Sequence, residues 1–221
     1  MSARIPSERS LIAGPVGNIE VLTELPDGAP RCIALVGHPH PLFGGTMDNK
    51  VVLTVARALR ELGCIALRPQ FRGVGRTEGT HDEGRGETED QLAVIDHARA
   101  TYGDLPVIVA GFSFGAFVAT RVADALSARG RPVAGMVLVG LATGAVEGIR
   151  HYETGTVRDD ALVIHGENDQ VVPLAHVLAW AAPQNLPVNV LGDTGHFFHG
   201  KLHVLRVMIE RWWRASTPAG Q

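Results

Sequence analysis

The chain has 221 residues, of which 45% are hydrophobic and 19% charged, with a formal net charge of −3. These values exclude a disordered polymer, and the lack of a basic run gives no reason to expect nucleic acid or an anionic membrane as a partner. No stretch approaches the about 20 apolar residues needed to span a bilayer, and the start, Met1-Ser2-Ala3-Arg4-Ile5-Pro6, has no apolar segment fit for secretion. The expectation is a single domain over residues 1–221, located in the cytoplasm, with small molecules as partners.

In chain order, short alternating stretches at about Ser10–Gly14 and Asn18–Leu25, divided by the turn signal Gly17-Asn18, predict an antiparallel entry to a sheet. The apolar run Cys32–Val36 predicts a buried strand that breaks into His38-Pro39-His40-Pro41 and a glycine pair. Apolar residues at Val51, Val52, Val55, Ala58, Leu59 and Leu62 predict a helix from about Asp48 to Leu62, stopped by Gly63. Cys64–Leu67 reads as the next strand, Arg72–His81 as a glycine-rich loop, Glu87–Tyr102 as a helix and Val107–Ala110 as a strand. A helix to about Arg129 follows, then strands at Val133–Val139, Ala161–His165 and Val188–Leu191. Helices at about Pro173–Ala182 and His199–Arg214 fill the remaining space, and Ala215–Gln221 reads as a frayed tail. Strands alternating with helices of this length imply right-handed crossovers and a mostly parallel sheet covered on both faces, an α/β architecture. Cys32 and Cys64 both fall in strand-like runs, which predicts buried reduced thiols over a disulfide or a metal site.

Function is carried by three loops at strand ends. Gly111-Phe112-Ser113-Phe114-Gly115 lies between an apolar strand and an amphipathic stretch, the setting of a nucleophile elbow. A serine on so sharp a turn has strained backbone angles, and side chains two places either side would collide with neighbouring backbone, hence the glycines. A serine hydroxyl needs a base within reach and a third group to orient that base. The strand Leu162–His165 opens into Gly166-Glu167-Asn168-Asp169, where Asp169 can accept from an imidazole and Glu167 is the fallback acid. Beyond the last strand, Gly192-Asp193-Thr194-Gly195-His196-Phe197-Phe198-His199 offers His196 as base, with His199 as its rival. The expected catalytic set is therefore Ser113, Asp169 and His196, and the structural alternatives are a helix cap for Asp169 and a packed loop histidine for His196.

A nucleophile of this kind also requires donors for a developing oxyanion. The backbone N–H of Phe114, at the start of the helix, is one. The other is expected from the loop after Cys32–Val36: Pro39 and Pro41 have no N–H, which leaves that of His40, with Leu42 next. The paired histidines at 38 and 40 read as a structural or hole-forming loop in preference to a metal site, since no carboxylate or cysteine recurs near them at ligand spacing. No cofactor or metal is expected.

The order Ser113, Asp169, His196 resembles that of the α/β-hydrolase superfamily. The loop His38 to Pro41 with Gly44-Gly45-Thr46-Met47-Asp48-Asn49-Lys50 resembles its small, cap-poor bacterial branch, from about Ile19 to Trp213. The resemblance implies a mostly parallel eight-stranded sheet whose second strand is antiparallel, and a serine-hydrolase mechanism without cofactor acting on esters or related acyl compounds. Arg72-Gly73-Val74-Gly75-Arg76-Thr77 is similar to the Arg-Gly-x-Gly-x-Ser loop of such enzymes, with Thr77 where serine is usual, and reads as scaffolding. Between Gly140 and Asp160 there is too little chain for a large cap domain, so an open site is expected. The function read here is cleavage of carboxylic or thio esters through an acyl-enzyme. The alternatives are an acyltransferase or amidase with the same triad, or a non-catalytic binding protein of the fold. Trp212 and Trp213 read as one packing residue and one partly exposed neighbour, and a contact between two copies of the chain, a homo-oligomer, is the alternative role for the pair.

Overall fold

The alternating stretches at the start form two antiparallel strands, β1 (Ser7–Ala13) and β2 (Asn18–Glu24), in a computed structural model that describes residues 7–146 and 150–216. Strand and helix then alternate as β3 (Cys32–Gly37), α1 (Lys50–Glu61), β4 (Cys64–Pro69), α2 (Arg85–Tyr102), β5 (Val107–Phe112), α3 (Phe114–Ala128) and β6 (Gly135–Val139). A small antiparallel ribbon of β7 (Gly144–Ala145) and β8 (His151–Tyr152) precedes β9 (Leu162–Gly166), α4 (Leu174–Ala181), β10 (Val188–Leu191) and α5 (Leu202–Ser216). Among the described residues the main sheet has eight strands in the order β1-β2-β4-β3-β5-β6-β9-β10. It is parallel except where β2 runs against β1 and β4, as the resemblance implied.

The two-residue period of each strand divides the core. Ala34 and Val36 of β3, Phe112 of β5 and Ile164 of β9 face Val52, Val55 and Leu59 of α1 and Leu205 and Ile209 of α5. Ile33 and Leu35 of β3 and Leu138 of β6 point to the other side, against Leu92 and Ile95 of α2 and Phe114, Val118 and Val122 of α3. Because α1 follows β3 onto one face and α3 follows β5 onto the other, the loops leaving these neighbouring strands diverge and open a crevice at their carboxyl ends. Asn49 caps α1 by accepting from the Val51 N–H at 2.9 Å, so the helix begins at Lys50, not Asp48.

The cysteines depart from expectation: Cys32 and Cys64 are joined as a disulfide. Parallel pairing of β3 with β4 sets the two residues directly opposite each other, with Cα atoms 4.6 Å apart. The sulfurs therefore meet inside the core beneath α1, a proximity that depends on strand register and that composition does not reveal.

The segment after β6 carries the β7–β8 ribbon, whose Tyr152 packs on Phe117 with ring centroids 5.0 Å apart. The last helix starts at Leu202, not His199, because Phe198 and Gly200 adopt left-handed φ of 53° and 73°. Ala215 and Ser216, read as frayed, lie in α5; residues 1–6, 147–149 and 217–221 are outside the described ones. Trp212 serves packing: its Nε1–H donates to the Asp160 carbonyl at 2.8 Å, and its ring fills the space a Cβ on Gly135 would occupy. No helix among the described residues is long and apolar enough to cross a membrane.

Candidate active site

Ser113 sits between β5 and α3 with φ 57° and ψ −119°, a conformation costly for a residue with a Cβ. The neighbouring glycines make this turn feasible. A Cβ on Gly111 would lie 2.2 Å from the Gly115 carbonyl oxygen, and one on Gly115 would lie 2.3 Å from that of Gly37 and 2.6 Å from that of His38. The elbow is thus pressed against the end of β3 and the start of its loop, which bare backbone alone permits. The Ser113 N–H donates to Val139 O at 2.9 Å, and its carbonyl accepts from Ala116 and Phe117 N–H. The N–H groups of Phe114 and Gly115, in the first turn of α3, have no carbonyl four residues back within the helix to bind.

Asp169 and His196 are brought together by the parallel ladder of β9 and β10, which continues into their loops. Glu167 N–H donates to Leu191 O and Asn168 N–H to Thr194 O, each at 2.9 Å. Close approach at Gly166, where a Cβ would lie 2.4 Å from Thr194 O, fixes the spacing of the loops. His196 Nδ1 then lies 2.7 Å from Asp169 Oδ2, while Asp169 Oδ1 accepts from Val171 and Val172 N–H at 2.9 and 2.8 Å. Burial alone would push the Asp169 carboxyl up, but hydrogen bonds and charge from His196, with the Val172 N–H, outweigh it and hold the group below the usual carboxylate value. An ionised Asp169 can only accept, so His196 carries its proton on Nδ1 and presents a bare Nε2. The His196 ring stacks on Phe112, the residue before Ser113, with centroids 4.8 Å apart, and its Cε1 lies 3.3 Å from where a Cβ on Gly140 would be. Glu167, the fallback acid, accepts from the Asp193 N–H instead, and His199 is exposed beside Phe197.

The loop after β3 is stiffened from within. Buried His38 accepts the Phe71 N–H on Nε2 at 2.9 Å, which leaves its proton on Nδ1 for the Pro39 carbonyl at 2.7 Å. Burial drives its pKa down to about 4, so the ring is a neutral strut between two loops. His40 uses Nδ1 to accept the Leu42 N–H at 3.3 Å, which occupies the alternative donor considered for that loop. Its ring contacts those of His81 and Phe114 at 4.6 and 4.9 Å, and its pKa is lowered to about 4 by burial first, then by His81 and Arg150. Gly45 lets the chain fold back here, since a Cβ would stand 2.0 Å from Pro39 O. Thr77, the variant position of the Arg72 loop, donates to Gln70 O and accepts from the Glu20 N–H, which ties that loop to β2.

Beside His40 lies a cleft of about 590 Å³ walled by Phe43, His81, Phe117, Arg150 and Tyr152. His81 Nδ1 stands 2.8 Å from Glu87 Oε1, and the Arg150 guanidinium lies over Phe43 at 4.2 Å from the ring centroid. None of these wall residues stands out by sequence pattern. Tyr152 belongs to a ribbon with strands too short to show periodicity, Arg150 immediately precedes that strand, and His81 gains its partner only through folding. Among the described residues no three His, Cys, Asp or Glu side chains converge as a metal site would require.

Residues 43–205 match the family described as alpha/beta hydrolase domain. A Xanthomonas campestris α/β serine hydrolase without a lid is 35% identical, covering 97% of each chain with a TM-score of 0.86. An α/β serine hydrolase homologue from Coxiella burnetii is 38% identical over 95% of this chain and 99% of its own, with a TM-score of 0.80. A lysophosphatidylserine lipase of Gallus gallus, ABHD12, is 32% identical over 47% of this chain and 28% of its own length. The chain spans less than half the length of the curated relatives it matches.

Proposed function

The chain belongs to the alpha/beta hydrolase domain family, and we propose that within it the chain cleaves carboxylic or thio esters of small to medium acyl compounds, with Ser113 as nucleophile, His196 as base and Asp169 as its orienter. The observation that carries this reading is the 2.7 Å contact of Asp169 with His196 Nδ1, which commits that nitrogen to the carboxylate and leaves Nε2 as the one to act as base. In the proposed cycle His196 Nε2 takes the Ser113 hydroxyl proton as Oγ adds to the acyl carbon. The tetrahedral oxyanion is held by the Phe114 and His40 N–H groups, and the imidazolium by Asp169. Collapse breaks the bond to the leaving alcohol or thiol, which takes the proton from His196. Water then attacks the acyl-enzyme, giving its proton to His196, and the acid departs as the proton returns to Ser113 Oγ. In this reading the hydrogen bond from the Ser113 hydroxyl to His196 Nε2 forms as substrate arrives.

Two features support an acyl ester as substrate. The cleft beside His40 is walled chiefly by rings, suited to an acyl or alkoxy group of modest size. The lipase that resembles half of the chain acts, by its name, on a lysophospholipid, itself an acyl ester. A fluorophosphonate probe tests the reading: it should add once, at Ser113, and block turnover of a short-chain aryl ester. Addition at another serine, or an unlabelled protein that hydrolyses no ester, thioester or amide in a graded panel, would refute it.

A further inference from the structure

Asp169 has a second histidine beside it that the proposed cycle does not use. His165, near the end of β9, is fully buried, and its Nε2 lies 2.9 Å from Val172 O and 3.3 Å from Asp169 Oδ2. Both partners can only accept, so Nε2 must carry the proton; it donates to Val172 O, and the N–H dipole lies beside Asp169 Oδ2. Burial lowers the pKa of this ring, which keeps it neutral. The carboxylate is therefore surrounded: Oδ1 receives two backbone N–H groups, and Oδ2 receives His196 and has the His165 Nε2 3.3 Å away.

We propose that His165 is a positioning residue that sets the basicity of His196 through Asp169. The inference rests on the triad reading above. A carboxylate oxygen that already faces a second N–H dipole at 3.3 Å attracts the imidazolium formed at His196 less strongly, so His196 gives up its proton more readily. The titratable groups facing Asp169 are these two histidines, and those facing His165 are Asp169 and His196. Among the described residues no other ionisable side chain bears on the carboxylate. The bland alternative is a histidine that closes the strand end by holding Val172 O.

The two roles separate in the pH profile of kcat/KM. His165→Leu removes the donor, and the acidic limb should move upward by on the order of half a pH unit. His165→Gln places an amide N–H near the position of Nε2 and should return the limb most of the way to the wild type. A role in packing alone would alter stability or the plateau in both variants and leave the limb in place. An unmoved limb, a downward shift, or equal shifts in both variants would overturn the proposal. If the leucine variant does not fold, nitrogen-15 histidine NMR of the wild type decides: His165 should be neutral and protonated on Nε2 at about pH 7, and an Nδ1-protonated or cationic ring overturns the proposal. Phosphonate labelling at Ser113, with loss of turnover in His196→Ala, shows in the same series that the triad reading stands. Labelling elsewhere refutes that reading, whereas labelling at Ser113 with an unmoved limb refutes only the role of His165.

Discussion

The loops after β9 and β10 bring side chains to the proposed site, whereas the loop after β3 and the start of α3 bring its proposed main-chain N–H donors, and the two halves are stabilised differently. On the first side a carboxylate and an imidazole meet through a ladder of backbone bonds that runs past the strand ends, and residue type is what matters. On the second, bare glycine backbone lets loop and elbow touch, and a buried histidine with two prolines fixes the direction of an amide. Substitutions on the side-chain half should therefore remove chemistry outright. On the backbone half, the effect should depend on whether the main chain moves.

The largest effect should come from the nucleophile and its base. Ser113→Ala and His196→Ala should each lower kcat for an ester by on the order of 10⁶, leaving weak residual turnover, while His199→Ala stays near wild type. Steady-state kinetics on one ester check this, and activity that survives in His196→Ala but falls in His199→Ala would move the base to the exposed histidine.

Next in size is a substitution that shifts backbone without touching any reacting side chain. Gly115→Ala puts a Cβ 2.3 Å from Gly37 O, so elbow and loop must separate and the proposed donors lose their spacing. The loss expected is about 10²–10³ in kcat, the scale of one missing oxyanion donor, with a lowered Tm. Full activity in this variant would show that the approach of the loop to the elbow does not matter to the reaction.

What the sequence makes legible follows the same divide. Alternating elements, the elbow and the residues Asp169 and His196 stand out because their roles depend on side-chain identity at strand ends. The eight-stranded sheet follows the resemblance to known hydrolases. The strut formed by His38 is not legible, because its partner Phe71 comes from a different loop, 33 residues on. The disulfide is hidden for a related reason: two cysteines at the heads of separate runs become neighbours only through the register of β3 against β4. The second imidazole beside Asp169 is hidden in a run that reads simply as a buried strand, since no periodicity tells which way an imidazole at its end will turn.

His38 gives an effect on stability with a definite pH sign. Its pKa is about 4 in the fold against an ordinary 6.5, so between these values the unfolded chain binds the proton and the folded chain does not. The contribution is whole above pH 6.5 and is lost as pH falls toward 4. Its size is on the order of 3 kcal/mol, and His38→Gln, which does not titrate, should remove that part of the slope. Urea unfolding of both proteins at pH 7 and pH 4.5 tests it, and equal slopes would mean that the ring is not held neutral by burial.

The smallest effect should come from His40, whose proposed task belongs to its main chain. His40→Ala keeps the N–H between Pro39 and Pro41, and the prolines on either side still limit the backbone. What is lost is the acceptor for the Leu42 N–H and the ring contacts with His81 and Phe114. The ring is itself held at a pKa of about 4, so it carries no charge near neutral pH that could stabilise an oxyanion. The expected loss in kcat is therefore less than about tenfold, well below the 10²–10³ of a removed donor, and KM should rise because the ring is part of the cleft wall. A loss of 10³ or more in kcat with unchanged KM would mean that the imidazole, not the amide, contacts the oxyanion. A structure of the phosphonate adduct would then show its oxygen on the ring nitrogen.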